Sequence, residues 1–279
     1  FNVSQGVKIK GDSIYLTKFG CISFFKGNRD LSNLIIKKAC VVKGIDGWFI
    51  SLIIEKKIDE FIPNDNKIGL DVGISKYLVT SEGEVIGNPV IGKYYESKLR
   101  IAQRKISRRK KGSARRNKSV LELKKLHLKI SNKRKDHLHK LSTKLVSENQ
   151  AIIVEDLKIS NMIKSAKGTI NNPGKNVKQK SGLNKALSDL SISEFFRMLE
   201  YKSEWYGREF IKVDPKYTSQ ICSRCGNKDK ESRKSQSEFK CTNCGLELNA
   251  DYNAAINIKG RAYPSGDISE ITCEPENKY

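Results

Sequence analysis

Four cysteines and three acids carry the chemistry legible in this sequence. Cys222 and Cys225 form one C-x-x-C pair and Cys241 and Cys244 a second, with fifteen residues between the pairs. Thiolates are soft ligands, and two such pairs at this separation are the sequence form of a four-thiolate zinc ribbon. A closed set of four sulfurs leaves no open position, so one zinc ion there would be structural, worth on the order of 10 kcal/mol to local folding. The rival use of the motif is a set of redox dithiols. The other cysteines, Cys21, Cys40 and Cys273, are scattered. An odd total of seven with paired spacing points to thiolate–metal chemistry in a reducing compartment rather than to a disulfide framework. Cys21 and Cys40 read as packing residues.

The acids are Asp71, Glu155 and Asp251. Asp71 lies near the end of the short run Lys67-Ile68-Gly69-Leu70-Asp71-Val72-Gly73, Glu155 closes Ala151-Ile152-Ile153-Val154-Glu155, and Asp251 opens a helix just after the second cysteine pair. They are 84 and 96 residues apart, so only a fold can bring them together. A carboxylate at the end of a buried strand is costly unless paired or metal-bound. Three converging carboxylates repel one another, and Mg²⁺ relieves that repulsion because it prefers carboxylate oxygens and keeps several waters. Two ions about 3.5–4 Å apart would hold the attacking and leaving oxygens of an in-line phosphodiester displacement. Each acid alone also has a plainer reading: a turn acid, a salt-bridge partner and a helix N-cap. Asp156 falls on the opposite strand face and reads as structural. His127, His137 and His139 read as solvated or interface residues, not ligands.

These groups need elements to position them. Residues 1–62 carry short apolar runs (Ser13–Leu16, Cys21–Phe25, Trp48–Ile54) divided by turn signals such as Lys10-Gly11-Asp12, a pattern for a small barrel or curled sheet. A linker at Pro63–Asn66 leads into the Asp71 strand and a meander through Tyr77–Thr80 and Glu84–Ile86. Residues 93–148 read as a helical hairpin broken at Gly112-Ser113, with an apolar seam of Leu121, Leu128, Leu138, Leu141 and Leu145. Residues 163–185 read as a long loop without periodicity, functional or disordered, and a candidate lid. Ile192, Phe195, Phe196 and Leu199 predict a helix capped by Ser191 or Ser193. Phe210–Val213 reads as a strand, Ala250–Lys259 as a helix, and the tail from 263 as loose. The expected domains are 1–62, a core of 63–213 carrying the basic insertion 93–148, a zinc ribbon at 214–248, the final core helix at 249–262 and the tail 263–279.

The formal net charge is +22, from 53 Lys and Arg against 31 Asp and Glu. Between Lys93 and Lys144 there are 20 basic residues and three acids, Glu96, Glu122 and Asp136. Such an excess repels itself unless an anionic polymer neutralises it, which makes nucleic acid the expected partner and an acidic membrane surface the rival. No apolar run of about 18 residues exists, so no membrane-crossing helix is expected. The chain begins at Phe1 with no secretory signal, as if inside a β-rich module, and reads as a fragment or a processed chain. Oligomeric state is left open.

The segments Ile68–Gly73, Ile153–Leu157, Lys216-Tyr217-Thr218-Ser219-Gln220-Ile221-Cys222-Ser223-Arg224-Cys225-Gly226 and Asn249–Ala255 resemble the TnpB (OrfB) proteins of bacterial and archaeal insertion sequences, relatives of the type V CRISPR effectors. Asp136–Ser142 and Val213–Gln220 look like the same family, and the resemblance covers essentially the whole chain. It implies an α/β RuvC-like nuclease core of RNase H fold with a helical hairpin insertion, an inserted zinc ribbon and a preceding wedge segment. It also implies a guide RNA pairing with target DNA, and one Mg²⁺-dependent RuvC-like site, in the cytoplasm, that cuts both strands. The family's catalytic and magnesium-binding acids fall on Asp71, Glu155 and Asp251, and its zinc ligands on Cys222, Cys225, Cys241 and Cys244. Family members usually carry a wedge strand and a helical recognition region before the point where this chain starts. Two alternatives stand beside this: a nucleic-acid-binding regulator of RuvC-like fold that does not cut, and a RuvC-type nuclease acting without RNA.

Overall fold

The computed structural model describes residues 1–263 except 4–5, 18, 28–29 and 32–33. Cys273 and the tail from 264 lie outside the described residues. The chain is mixed α/β and divides into two compact units, one of Phe1–Asp59 with Tyr95–Ser131, the other of Glu60–Tyr94 with the residues from Asn132 onward.

The first unit is built from β1 (Asn2–Val3), β2 (Lys8–Lys10), β3 (Ser13–Leu16), β4 (Gly20–Ser23), β5 (Ile35–Lys43) and β6 (Trp48–Glu55). They form two three-stranded antiparallel sheets, β1-β5-β6 and β2-β3-β4, which share a small core of Ile14, Leu16 and Ala39. Alternation along β3 sends Ile14 and Leu16 inward and leaves Tyr15 exposed. Cys21 is exposed and Cys40 half-buried, so Cys21 does not pack in a core as the sequence reading expected.

The second unit is organised by one five-stranded sheet. Its first three strands are β7 (Lys67–Val72), β8 (Lys76–Thr80) and β9 (Val85–Gly87). In chain order the helical hairpin follows as α1 (Ile91–Ser107) and the 35-residue α2 (Ala114–Glu148), separated at Gly112, which holds φ of 82°; its stretch Tyr95–Ser131 belongs to the first unit. Then come β10 (Ala151–Glu155), α3 (Ile159–Met162), α4 (Val177–Leu190), α5 (Ile192–Trp205), β11 (Glu209–Val213), the short strands β12 (Glu238–Lys240) and β13 (Glu247–Asn249), and α6 (Ala250–Ala262). The sheet order is β11-β10-β7-β8-β9, with β11, β10 and β7 parallel and β7, β8 and β9 antiparallel.

Side-chain alternation divides this sheet into two faces. Ile68 and Leu70 of β7 and Ile152 and Val154 of β10 share a core with Leu138, Leu141, Leu145 and Val146 of α2 and with Phe195 and Leu199 of α5. Burying each of these side chains is worth about 1.5–3 kcal/mol. The opposite face takes Ala151, Ile153 and Val213 against Ile258 of α6. The expected seam on α2 is therefore only half used: Leu138, Leu141 and Leu145 are buried, while Leu121 is 42% exposed. The C-terminal part of α2 packs against this face of the sheet. Lys202 of α5 joins the two helices, donating to the His139 carbonyl and to the hydroxyls of Ser142 and Thr143 at 2.7–2.8 Å.

The stretch 163–185 is not all loop, because α4 starts at Val177. Its buried face holds only Leu187 and Leu190, too few to give a visible period across Gly182 and Asn184. Tertiary contacts secure it: the Asp189 carboxylate accepts from the Gly92 amide at 3.0 Å and from Arg134. Ser191 sits between α4 and α5 in a left-handed conformation (φ 53°) and makes no side-chain cap bond, so it divides the helices without capping as expected.

Candidate functional site

The strand register aligns the first two acids. Val154 of β10 pairs with Leu70 of the parallel β7. Asp71 and Glu155 each follow by one residue, so they stand level at the carboxyl ends of neighbouring strands. Gly69 and Ile153, two residues earlier, face α6, and by alternation Asp71 and Glu155 point to that same side. Gly69 is required there. A Cβ on it would lie 2.2 Å from the Ala255 carbonyl oxygen and 2.7 Å from the Lys259 amide nitrogen, so only glycine lets α6 rest on the strand. With residues 255–259 of α6 over Gly69, the start of the helix comes to the strand ends and brings Asp251 with it.

Asp251 is free of capping duty. The side chain of Asn249 caps α6, accepting from the amides of Asp251 and Tyr252 at 3.1 and 3.4 Å. The Asp251 carboxylate faces Lys76 at 3.7 Å instead. The electrostatics agree with convergence. Burial pushes the Asp71 carboxyl up from 3.8 to about 7, and the negative charges of Glu155 and Asp251 push it the same way, against weaker pulls from Arg233 and Lys76. Burial also raises Glu155, opposed by its hydrogen bond from the Thr218 hydroxyl and by the charge of Arg261. Asp156 is half-buried, and its carboxylate pairs with Lys158 at 2.7 Å.

The four cysteine sulfurs lie within 4.8 Å of one another, the one such group of potential ligands among the described residues. Sγ separations are 3.6 Å for Cys222–Cys244 and for Cys225–Cys241. A tetrahedral zinc site with Zn–S near 2.3 Å has edges of about 3.8 Å, so the cluster fits zinc. Each pair sits on a tight turn. The amide of Gly226 donates to the Cys222 carbonyl and that of Gly245 to the Cys241 carbonyl, and both glycines hold φ of 70°. Burial opposes ionisation of Cys241, but the backbone amides of Cys244 and Asn243 and the neighbouring sulfurs draw its thiol down to about 6. Burial pushes the Cys222 thiol up to about 12.

The cysteine knuckle is bolted to the acids. Asn253 of α6 accepts from the Ser223 amide at 3.0 Å and donates to the Ile221 carbonyl at 2.8 Å. Asn257, one turn on, donates to the carbonyls of Thr218 and Ile221 at 2.8 and 2.7 Å. Arg261, another turn on, donates to the carbonyls of Asp214 and Lys216. The segment 214–223 is thus fixed to α6 while Thr218 holds Glu155. Thr218, Lys76 and the Asn253–Asn257 pair had no assigned role from sequence. The i, i+4 spacing of two asparagines beside Asp251 was the available signal. Of the histidines, His127 and His139 are exposed, and His137 packs edge-on to Tyr77 at 5.8 Å. Arg104, Lys105, Arg108 and Arg109 line an open depression on the first unit with Ile101.

Two family models match the chain: one described as "Probable transposase" over residues 54–166, the other as "Cas12f1-like, TNB domain" over residues 193–258. The chain is similar to the Escherichia coli (strain K12) protein named "Putative RNA-guided DNA endonuclease InsQ", 38% identical over 261 residues, covering 92% of this chain and 64% of that protein. It is similar to a "Putative RNA-guided DNA endonuclease" of Streptomyces pristinaespiralis, 37% identical, covering 76% of this chain and 49% of that protein. A 58-residue stretch is 60% identical to the "CRISPR-associated endodeoxyribonuclease Cas12f1" of Sulfoacidibacillus thermotolerans, covering 21% of this chain and 14% of that protein. The chain therefore spans between about half and two thirds of the length of the first two relatives. No helix among the described residues is long and apolar enough to cross a membrane.

Proposed function

This chain belongs to the TnpB (OrfB) family of transposon-encoded proteins, and from that premise we propose that it forms the nuclease part of an RNA-guided, Mg²⁺-dependent DNA endonuclease with a RuvC-like site. Asp71, Glu155 and Asp251 are the catalytic, metal-holding acids. The observation that carries the reading is geometric: parallel register sets Asp71 and Glu155 level at neighbouring strand ends and Gly69 admits the helix whose first turn carries Asp251, and burial, then the charges of the other two acids, raises the Asp71 carboxyl. Three partly buried carboxylates are the donor chemistry a pair of divalent cations fits. Mg²⁺, when bound, supplies an activated water and charge stabilisation for the departing oxygen.

The protein's own residues set this up. Parallel register places Asp71 beside Glu155, and Gly69 admits the helix that delivers Asp251. Thr218 fixes the rotation of Glu155 through its hydroxyl. Lys76 and Arg233 bring positive charge to the acids' edge, where a phosphate would lie. The sheet order, three antiparallel strands followed by two parallel ones, supports an RNase H-like core over 63–213 and 249–262. Residues 214–248 are read as a zinc ribbon holding one structural ion, 93–148 as the basic insertion, and 1–62 as a wedge-like segment. Guide RNA and target DNA are the proposed partners. The basic residues of α1 and α2 would neutralise their phosphates, giving steeply salt-dependent binding, and base pairing would read sequence. The cytoplasm, where thiols stay reduced, is the proposed location.

The test is Mg²⁺-dependent cleavage by the full-length protein with Asp71→Ala, Glu155→Ala and Asp251→Ala measured separately. Each change removes a ligand worth several kcal/mol in the transition state, so each is expected to slow cutting by about a thousandfold or more. Cleavage that persists in one variant removes that acid from the site.

A further inference from the structure

Beside the acids, one aromatic residue is held in a conformation its type disfavours. Tyr217 has φ of 64°, one of four non-glycine residues with positive φ among the described ones. Its ring is not buried to stabilise the fold, since the residue is 48% exposed. The turn around it is over-determined. Arg261 holds the carbonyls of Asp214 and Lys216, the Asp214 carboxylate accepts from the Lys216 amide at 3.1 Å, and the Tyr217 carbonyl accepts from the amides of Gln220 and Ile221 at 2.9 and 3.1 Å. Backbone strain of this kind persists only when its surroundings impose it, and it concentrates at functional sites. The Lys228 ammonium sits 3.2 Å from the ring centroid, so the ring and a cation are presented together. The next residue, Thr218, is the one whose hydroxyl holds Glu155.

An exposed, rigidly mounted ring with a cation over it, one residue from a catalytic-site contact, is the chemistry that receives a nucleobase and its phosphate. We propose that Tyr217 and Lys228 form a stacking subsite for an unpaired base of the strand entering the carboxylate site, with Lys228 neutralising the adjoining phosphate. The subsite positions the strand and takes no part in bond making. It rests on the reading that a nucleic-acid strand lies at Asp71, Glu155 and Asp251.

The experiment measures binding of a fluorescent oligothymidylate to the zinc-loaded protein, and of the same oligonucleotide with abasic sites at its centre. The proteins are the parent, Tyr217→Phe and Tyr217→Gly. Glycine suits positive φ, so Tyr217→Gly removes the ring while relieving the backbone. The expected result is a loss of affinity of roughly 5- to 100-fold in Tyr217→Gly, with its melting temperature close to the parent's and parent-like affinity in Tyr217→Phe. The abasic probe should bind the parent more weakly by a similar factor and Tyr217→Gly with no further loss. Unchanged affinity in Tyr217→Gly, equal loss in Tyr217→Phe, or a parent that does not discriminate against the abasic probe overturns the proposal. Mg²⁺-dependent cutting by the parent is scored separately. Base-sensitive binding without cutting leaves the stacking subsite standing and removes the nuclease reading; cutting with undiminished Tyr217→Gly binding does the reverse.

Discussion

The cysteine knuckle and the carboxylate cluster sit side by side in one unit and are built in opposite ways. The knuckle is local: four sulfurs within 23 residues of chain, mounted on two matching glycine turns, already within 4.8 Å of each other. The carboxylates are global: Asp71 and Glu155 stand level on two strands by register, and Asp251 opens a helix that rests on Gly69. The knuckle's turns are closed by its own backbone bonds, while burial and, after it, the charges of Glu155 and Asp251 lift Asp71 to about 7. A closed four-thiolate set suits a structural ion; a set of carboxylates suits ions that keep several waters. The knuckle also serves the cluster, through Thr218 on Glu155 and through Asn253 and Asn257 on α6.

If the knuckle is the more autonomous of the two, removing its ion should have the largest effect. Cys222→Ser, or stripping with a strong chelator, removes binding energy on the order of 10 kcal/mol. The expected outcome is unfolding of residues 214–248 in hydrogen exchange, with cutting lost because Thr218 no longer restrains Glu155. Protection should survive in β7 and β10, whose core lies on the other face of the sheet. Loss of the whole sheet at once would show that the two regions are one cooperative unit.

The next test strikes the cluster without touching an acid. Gly69→Ala places a methyl group against the backbone of α6 at 2.2 Å. Overpacking against backbone costs about 3 kcal/mol, and it moves Asp251 away from Asp71. Thermal unfolding should show the loss, and cutting should fall while zinc content stays at the parent value. Full activity in Gly69→Ala would mean that α6 does not position the third acid.

The smallest expected effect concerns charge alone. Asp71 has a folded value of about 7 against 3.8 as its ordinary one. Because the folded value is the higher, the stability linked to it is fully present below pH about 3.8 and is lost as pH rises through about 7. In buffer without Mg²⁺, Asp71→Asn should therefore be more stable than the parent at pH 8, and the gap should close toward pH 4. Added Mg²⁺ should stabilise the parent and leave the variant unmoved. A variant less stable than the parent at pH 8 would show that Asp71 is well neutralised by its protein neighbours.

The same contrast explains what could be read before the fold was known. Cys222, Cys225, Cys241 and Cys244 were legible because ligand spacing is a property of the chain itself. Asp71 and Glu155 were legible as anomalies, acids closing apolar strands, but their register was not, since pairing of β7 with β10 crosses the whole hairpin. Asp251 was legible as an acid opening a helix, and its plainer reading as a cap falls away because Asn249 performs that task. Thr218 carried no signal, because a threonine beside a cysteine motif is ordinary until a carboxylate is found against it. The helix α4 was missed for the complementary reason: Asp189 and Arg134 hold it from outside, while its own sequence is nearly apolar-free before Leu183.

The central claim is that Asp71, Glu155 and Asp251 jointly hold divalent cations. Its most direct test is a crystal of the protein soaked in Mn²⁺, located by anomalous scattering. The account predicts Mn²⁺ among these three carboxylates, and its disappearance in Asp71→Asn. Mn²⁺ bound elsewhere, with the three side chains paired only to Lys76, Arg233 and Thr218, would contradict it.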